Sequence, residues 1–132
     1  MSLQRLVRFI SKDDGKTYYG AADEGLQFAK PLEAGSPFSP TTQLIDKQHA
    51  IQKLLCPIDI DHARSVVCIG LNYTDHAEEA KMPIPKVPVV FFKPVTALTG
   101  PYDDLVLPRT SWEKERLDYE AELVIVIGKK AF

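Results

Sequence analysis

The sequence predicts an α+β fold, mainly β. Three observations predict it. Apolar runs of strand length recur at Leu3–Ile10, Ser65–Gly70, Val89–Lys93 and Tyr119–Gly128. Prolines at 31, 37, 40, 57, 83, 85, 88 and 94 cut the chain into pieces too short for long helices. Only two stretches, 44–55 and 72–80, carry a helical pattern. The 132 residues have 45% apolar and 26% charged side chains, enough for a core and against global disorder. Sixteen Lys+Arg against 18 Asp+Glu leave a net charge of -2, which argues against a generic nucleic-acid binder. No stretch reaches the length of a membrane span. Cys56 and Cys68 have no CxxC partner, so they predict reduced thiols rather than a disulfide framework or a zinc site.

The elements follow in order. Leu3–Ile10 partly alternates and reads as a strand. Asp13-Asp14-Gly15 is a turn signal, and Lys16–Ala22 reads as the returning strand of a β-hairpin. Residues 25–42, with Pro31, Gly35, Pro37 and Pro40, read as a surface connector. Apolar residues at 44, 45, 51, 54 and 55 fit a short amphipathic helix that Pro57 ends. Ser65–Gly70 then reads as a buried strand. Asn72–Ala80 reads as a short helix capped by Thr74 or Asn72. Val89–Lys93 is a second buried strand closed by Pro94. Residues 95–108 carry a Gly-Pro turn and a short strand. Residues 109–118 are polar and read as hairpin-like or mobile. Tyr119–Gly128 is the last and most apolar strand, and the following lysines turn the chain. Two regions result: 1–56, a small hairpin-plus-helix region, and 62–132, the start of the principal fold.

Two pairs of residues could carry chemistry. In a strand, Glu120 and Glu122 share a face, with Cβ atoms about 6–7 Å apart. Two like charges there raise each other's pKa unless a cation neutralises them, and hard oxygen ligands suit Mg²⁺ or Mn²⁺. The alternative is a solvated strand end with two surface carboxylates. His76 and Glu79, at i and i+3, share one helix face and could pair a general base with an orienting carboxylate. The alternative is a surface histidine beside a carboxylate. Lys93, at a strand exit, can reach a carboxylate or phosphate, or snorkel to water. Tyr73 packs with its hydroxyl at the cleft, Trp112 anchors a flap, and His49 and His62 read as bystanders. Neither a phosphate-binding glycine loop nor a serine elbow is present.

Four separated motifs carry a resemblance. Cys68–Glu79, Pro88–Pro94, Gly100-Pro101 and Asp118–Leu123 with Val126–Lys129 occur in the order and at the distances of the fumarylacetoacetate hydrolase family. The likeness covers roughly residues 64–130, and the amino-terminal hairpin resembles, more loosely, the small leading domain of many members. The resemblance implies a partial mixed β-sheet or β-roll catalytic domain, active as a homodimer. It implies Mg²⁺, with Mn²⁺ or Ca²⁺ as substitutes, held by Glu120 and Glu122 together with a later aspartate. His76 and Glu79 would activate water, with Tyr73 and Lys93 at the substrate cleft. The implied reaction cleaves a carbon–carbon bond in a 1,3-dicarbonyl or 2-oxo acid such as an acylpyruvate. Oxaloacetate decarboxylation and 2-oxo acid isomerisation or hydration are the alternatives.

The later aspartate falls beyond Phe132, so the chain is expected to be a truncated amino-terminal part of the catalytic domain, inactive alone. A non-catalytic dimerisation or regulatory role is the other class, and a small unrelated α+β domain the third. The expected location is cytoplasmic, with the mitochondrion as alternative, and neither nucleic acid nor membrane is an expected partner.

Overall fold

A computed structural model of the chain describes residues 5–33, 36–113 and 117–129. It has a mainly-β, mixed α+β fold, as the sequence predicts: a closed four-stranded barrel and a separate two-stranded sheet. The chain divides into two units, one of residues 1–55 with 101–132, the other of residues 56–100.

The barrel forms from β1 (Leu6–Ser11), β2 (Thr17–Ala22), β3 (Phe28–Pro31) and β4 (His49–Leu54), all pairs antiparallel. The hairpin read from Asp13-Asp14-Gly15 is β1–β2, with Phe9 opposite Tyr18. Gly15 takes φ 71°, the left-handed conformation that costs glycine little, and its N–H donates to the Ser11 carbonyl at 2.9 Å. Period-two alternation turns Phe9, Ser11, Ala29, Pro31 and His49 inward, where all are buried, while Tyr19, opposite Arg8, is buried on the other face. Phe9 fills the centre with no exposed surface.

Gly20 is the one barrel position that excludes any side chain. A Cβ there would lie 2.5 Å from the Lys30 carbonyl oxygen and 3.1 Å from Phe9 Cε1. At the barrel's polar end Ser11 Oγ and His49 Nδ1 are 2.9 Å apart, and the Asp13 N–H donates to Ser11 Oγ at 3.1 Å.

Two expectations fail here. Residues 44–55 are not helical. Leu44 bridges Leu32, and β4 begins at His49. Ladders to β1 and β3 on both sides satisfy the backbone groups that a helix would have satisfied internally. Residues 25–42 are not all connector, because β3 lies within them. Its four residues end at Pro31, where a missing N–H is tolerated.

The turn carries a pH-dependent bond. Tyr18 O–H donates to Asp14 Oδ2 at 2.7 Å, and the Lys16 N–H donates to Asp14 Oδ1 at 3.0 Å. The Tyr18 bond, then the Lys16 N–H, hold the Asp14 carboxyl below its usual range. The same bond to Asp14 pushes the Tyr18 phenol above its own. Asp14 is depressed on folding, so its contribution is present above the unfolded carboxyl value and lost as pH falls through the folded one. Tyr18 is raised, so its contribution is present below the unfolded phenol value and lost as pH rises through the folded one. Amide protection at the β1–β2 turn, measured against the intrinsic exchange rate at each pH, should therefore fall at both pH extremes. Tyr18→Phe should weaken the dependence at the acid end and abolish it at the alkaline end; an unchanged profile would contradict the bond.

The other unit holds β5 (Val66–Gly70), α1 (Thr74–Glu79) and β6 (Val89–Lys93). β5 and β6 pair antiparallel from Val66↔Lys93 to Gly70↔Val89. Both strands and the helix appear where the sequence predicts them, but the strands are not buried. All five β6 residues are exposed, and Phe92 retains 69% of its surface. Two strands alone lack the second layer that would cover a face.

Downstream, Val95–Ala97 is a 3₁₀ turn and α2 (Arg109–Trp112) is a single helical turn, not a hairpin. The strands expected within 95–108 and over Tyr119–Gly128 do not form, and Leu123 to Ile127 are exposed. No strand among the described residues offers this apolar run a ladder, and a strand cannot exist without one. Residues 1–4, 34–35, 114–116 and 130–132, on which parts of the expectations for the first strand, the connector, the 109–118 segment and the closing turn fell, lie outside the described residues. Cys56 and Cys68 are free and half-buried, less enclosed than expected. No helix among the described residues is long and apolar enough to cross a membrane.

Candidate functional site

The most concentrated chemistry lies where β5 passes into α1. The chain leaves β5 at Gly70 and turns at Leu71, which holds φ 50°. Tyr73 is the N-cap, extended at φ -111° and ψ 132°, without a side-chain capping bond. The caps expected at Asn72 or Thr74 do not form, and Thr74 Oγ1 instead donates to Asp75 Oδ1 at 3.3 Å. α1 buries only Ala77. His76 and Glu79 therefore remain exposed, three residues apart on one helix. That spacing is the arrangement the sequence predicts.

α1 stops at a paired turn. The Met82 N–H donates to the Ala77 carbonyl at 2.9 Å and the Lys81 N–H to the Glu78 carbonyl at 3.0 Å. This is a Schellman motif, and its left-handed residue is Lys81 at φ 52° rather than glycine. Lys81→Gly should relieve the Cβ clash and stabilise this helix end by roughly 0.5–1 kcal/mol after the entropy cost of glycine. Slower exchange of the Met82 amide would show it; faster exchange would count against the motif.

The remaining residues are placed as follows. Tyr73 is 41% exposed beside the helix start. Lys93 pairs with Val66, at the far end of the ladder from Gly70. Four residue steps separate those ends, roughly 13 Å. The ladder thus carries Lys93 away from the β5 end that feeds α1. Glu120 and Glu122 are exposed in a segment without regular structure. Two carboxylates are the right donor type for a hard cation, but among the described residues no group of three or more His, Cys, Asp or Glu is arranged to hold one. The pair alone does not make a metal site.

Two positions escaped the sequence. His49, set aside as a helix bystander, is the buried partner of Ser11. Their shared inward parity becomes legible only once 49–54 is read as a strand. Leu71 takes a left-handed turn, for which a leucine gives no sequence signal.

The unit of residues 1–55 with 101–132 has its own open groove, lined by Gly25, Leu26, Gln27, Ile51, Lys53 and Tyr102. The Lys53–Asp103 ion pair, at 2.7 Å, involves one of these residues. None of the sequence-predicted site residues lines the groove.

Comparison with known proteins agrees with the motif order. Residues 65–132 match the family described as fumarylacetoacetate (FAA) hydrolase C-terminal. Caffeoylpyruvate hydrolase of Neonothopanus nambi is 35% identical over 142 aligned positions, covering 96% of this chain and 49% of that protein. The human mitochondrial oxaloacetate tautomerase FAHD2B is 51% identical over 65 residues, 49% of this chain and 20% of that protein. A fumarylacetoacetate hydrolase domain-containing protein 2 homolog of Dictyostelium discoideum is 49% identical over 79 residues, 60% of this chain and 24% of that protein. The chain thus spans about half the length, or less, of these relatives. No solved structure matches it. With the matched region spanning more than half of its residues, the chain belongs to the fumarylacetoacetate hydrolase family.

Proposed function

We propose that this chain carries part of the active site of an enzyme that acts on small 2-oxo acids, and that its reaction is keto–enol tautomerisation of an oxaloacetate-like acid. The observation that carries this reading is α1, where His76 and Glu79 stand exposed three residues apart beyond the end of β5. An imidazole oriented by a carboxylate can take a proton from the carbon next to the keto group. The electron pair moves onto the keto oxygen, a proton returns there, and the enol results; the reverse restores the ketone. The 51% identity to an oxaloacetate tautomerase over 65 residues supports this reaction over the bond cleavage first expected.

Carbon–carbon hydrolysis of an acylpyruvate is the second reading. It is favoured by the likeness to caffeoylpyruvate hydrolase along 96% of the chain. There His76 would deprotonate water instead of carbon.

Tyr73 is proposed to contact the substrate, and the Lys93 ammonium to pair with a substrate carboxylate. Glu120 and Glu122 are proposed as this chain's share of an Mg²⁺, Mn²⁺ or Ca²⁺ site completed by other oxygen ligands. When bound, the cation would stabilise negative charge on the substrate oxygen. A homodimer is the proposed assembly. The mitochondrial names of the human relatives support the mitochondrion over the cytosol.

The test follows the ultraviolet absorbance of enolic oxaloacetate and, separately, of an acylpyruvate, each with the 132-residue chain and Mg²⁺. Oxaloacetate tautomerisation above the buffer rate, lost in His76→Ala, would support the first reading and overturn the expectation that the chain is inactive alone. Acylpyruvate cleavage without tautomerisation would replace the first reading by the second. Neither activity would refute catalysis by this chain.

A further inference from the structure

We infer that Leu71 is the positioning residue of the candidate site: its left-handed backbone sets where α1 points His76 and Glu79. The inference rests on the functional reading of α1 given above.

Three observations carry it. First, the left-handed turn between β5 and α1 sits on a leucine, at φ 50°, a conformation that a branched side chain disfavours. Second, the glycine beside it is not used for the purpose. Gly70 is not left-handed, and a Cβ added there would meet only the Phe91 and Val89 side chains, at ordinary contact distances of 3.6 Å. Third, Leu71 is half-buried while residues 72–76 are all exposed. The side chain is more enclosed than those that follow it, and enclosure can hold a backbone conformation that a residue would otherwise leave.

The mechanical consequence follows from chain geometry. Every atom after Leu71 rotates about its N–Cα bond. A flip of φ into the negative region would swing the whole of α1, with His76 five residues further on, away from the end of β5. Strain held beside reacting groups is a recognised device of preorganisation.

Leu71→Asn and Leu71→Val separate this role from packing. Asparagine adopts the left-handed region readily and lacks the apolar anchor; valine keeps apolar character and is the poorest fit to that region. Both are compared with the unaltered chain by the ring resonances and χ1 coupling of His76. Cross-strand amide contacts such as Cys68↔Phe91 serve as the check on folding. The His76 signature should persist in Leu71→Asn and shift in Leu71→Val, with the β5–β6 contacts retained in both. If Leu71→Val fails to fold, Leu71→Asn still decides, because loss of the signature there overturns the inference. So does an unchanged signature in a folded Leu71→Val.

On a turned-over substrate, Leu71→Val should lower kcat by roughly tenfold to a hundredfold with KM nearly constant, and Leu71→Asn should leave both nearly unchanged. If the unaltered chain turns over neither oxaloacetate nor an acylpyruvate, the functional reading fails. The His76 comparison then still decides whether Leu71 positions α1.

Discussion

Gly20→Ala should destabilise the barrel by about 2–3 kcal/mol. The added Cβ would sit 2.5 Å from the Lys30 carbonyl oxygen and 3.1 Å from Phe9 Cε1. The first atom is backbone, so no rotamer change relieves the contact. Gly20 faces Pro31 in the β2–β3 ladder, and separating those strands also opens the cover over Phe9. A loss of this size is a large share of the stability of a small domain. Urea unfolding followed by a barrel probe would show the midpoint fall. Gly70→Ala is the matched control, since its new methyl meets side chains at 3.6 Å or more. An unshifted midpoint for Gly20→Ala would show that β2 and β3 do not pair in this register.

His76→Ala should lower turnover by roughly a hundredfold to ten-thousandfold, the usual contribution of a positioned proton-transfer group. Mg²⁺ affinity should be nearly unaffected, because His76 is proposed as a base and is not among the proposed ligands. Glu122→Ala should first weaken Mg²⁺ binding. Calorimetric titration beside a steady-state assay separates the two roles. A large loss of Mg²⁺ affinity in His76→Ala would make it a ligand instead of a base, and unchanged affinity in Glu122→Ala would remove that carboxylate from the site.

The legible parts of this chain are those whose signals are local. Asp13-Asp14-Gly15 between two alternating runs gives the β1–β2 hairpin, since the turn needs only its own residues. Val66–Gly70, α1 and Val89–Lys93 are legible for the same reason, and with them the His76–Glu79 spacing. β3 and β4 were illegible because their strand character comes from distant partners. His49 lies opposite Ala29 across the β3–β4 ladder, and nothing within 44–55 announces that pairing. The strand expected at Tyr119–Gly128 fails for the converse reason. Its apolar pattern is strong, but a pattern supplies no hydrogen-bonding partner. The same limit separates the two candidate pairs: a helix carries its own geometry to His76 and Glu79, whereas Glu120 and Glu122 needed a sheet to align them. The left-handed turn at Leu71 left no mark in the sequence, because glycine is its ordinary occupant and leucine gives no local signal for it.

The Ser11–His49 contact ties a histidine tautomer to the rotation of a hydroxyl. A serine hydroxyl has one hydrogen to give and two lone pairs that accept. Ser11 Oγ accepts the Asp13 N–H through one of them, so toward His49 Nδ1, 2.9 Å away, it either donates its hydrogen or accepts the ring's. If Oγ donates, the ring hydrogen of the neutral imidazole is carried on Nε2; if Oγ accepts, it is carried on Nδ1. The nitrogen-15 spectrum of His49 separates the two by which nitrogen is pyridine-type, and Ser11→Ala should release the ring from either. Two isomers of one side chain are thus coupled to the rotor of another at the barrel end.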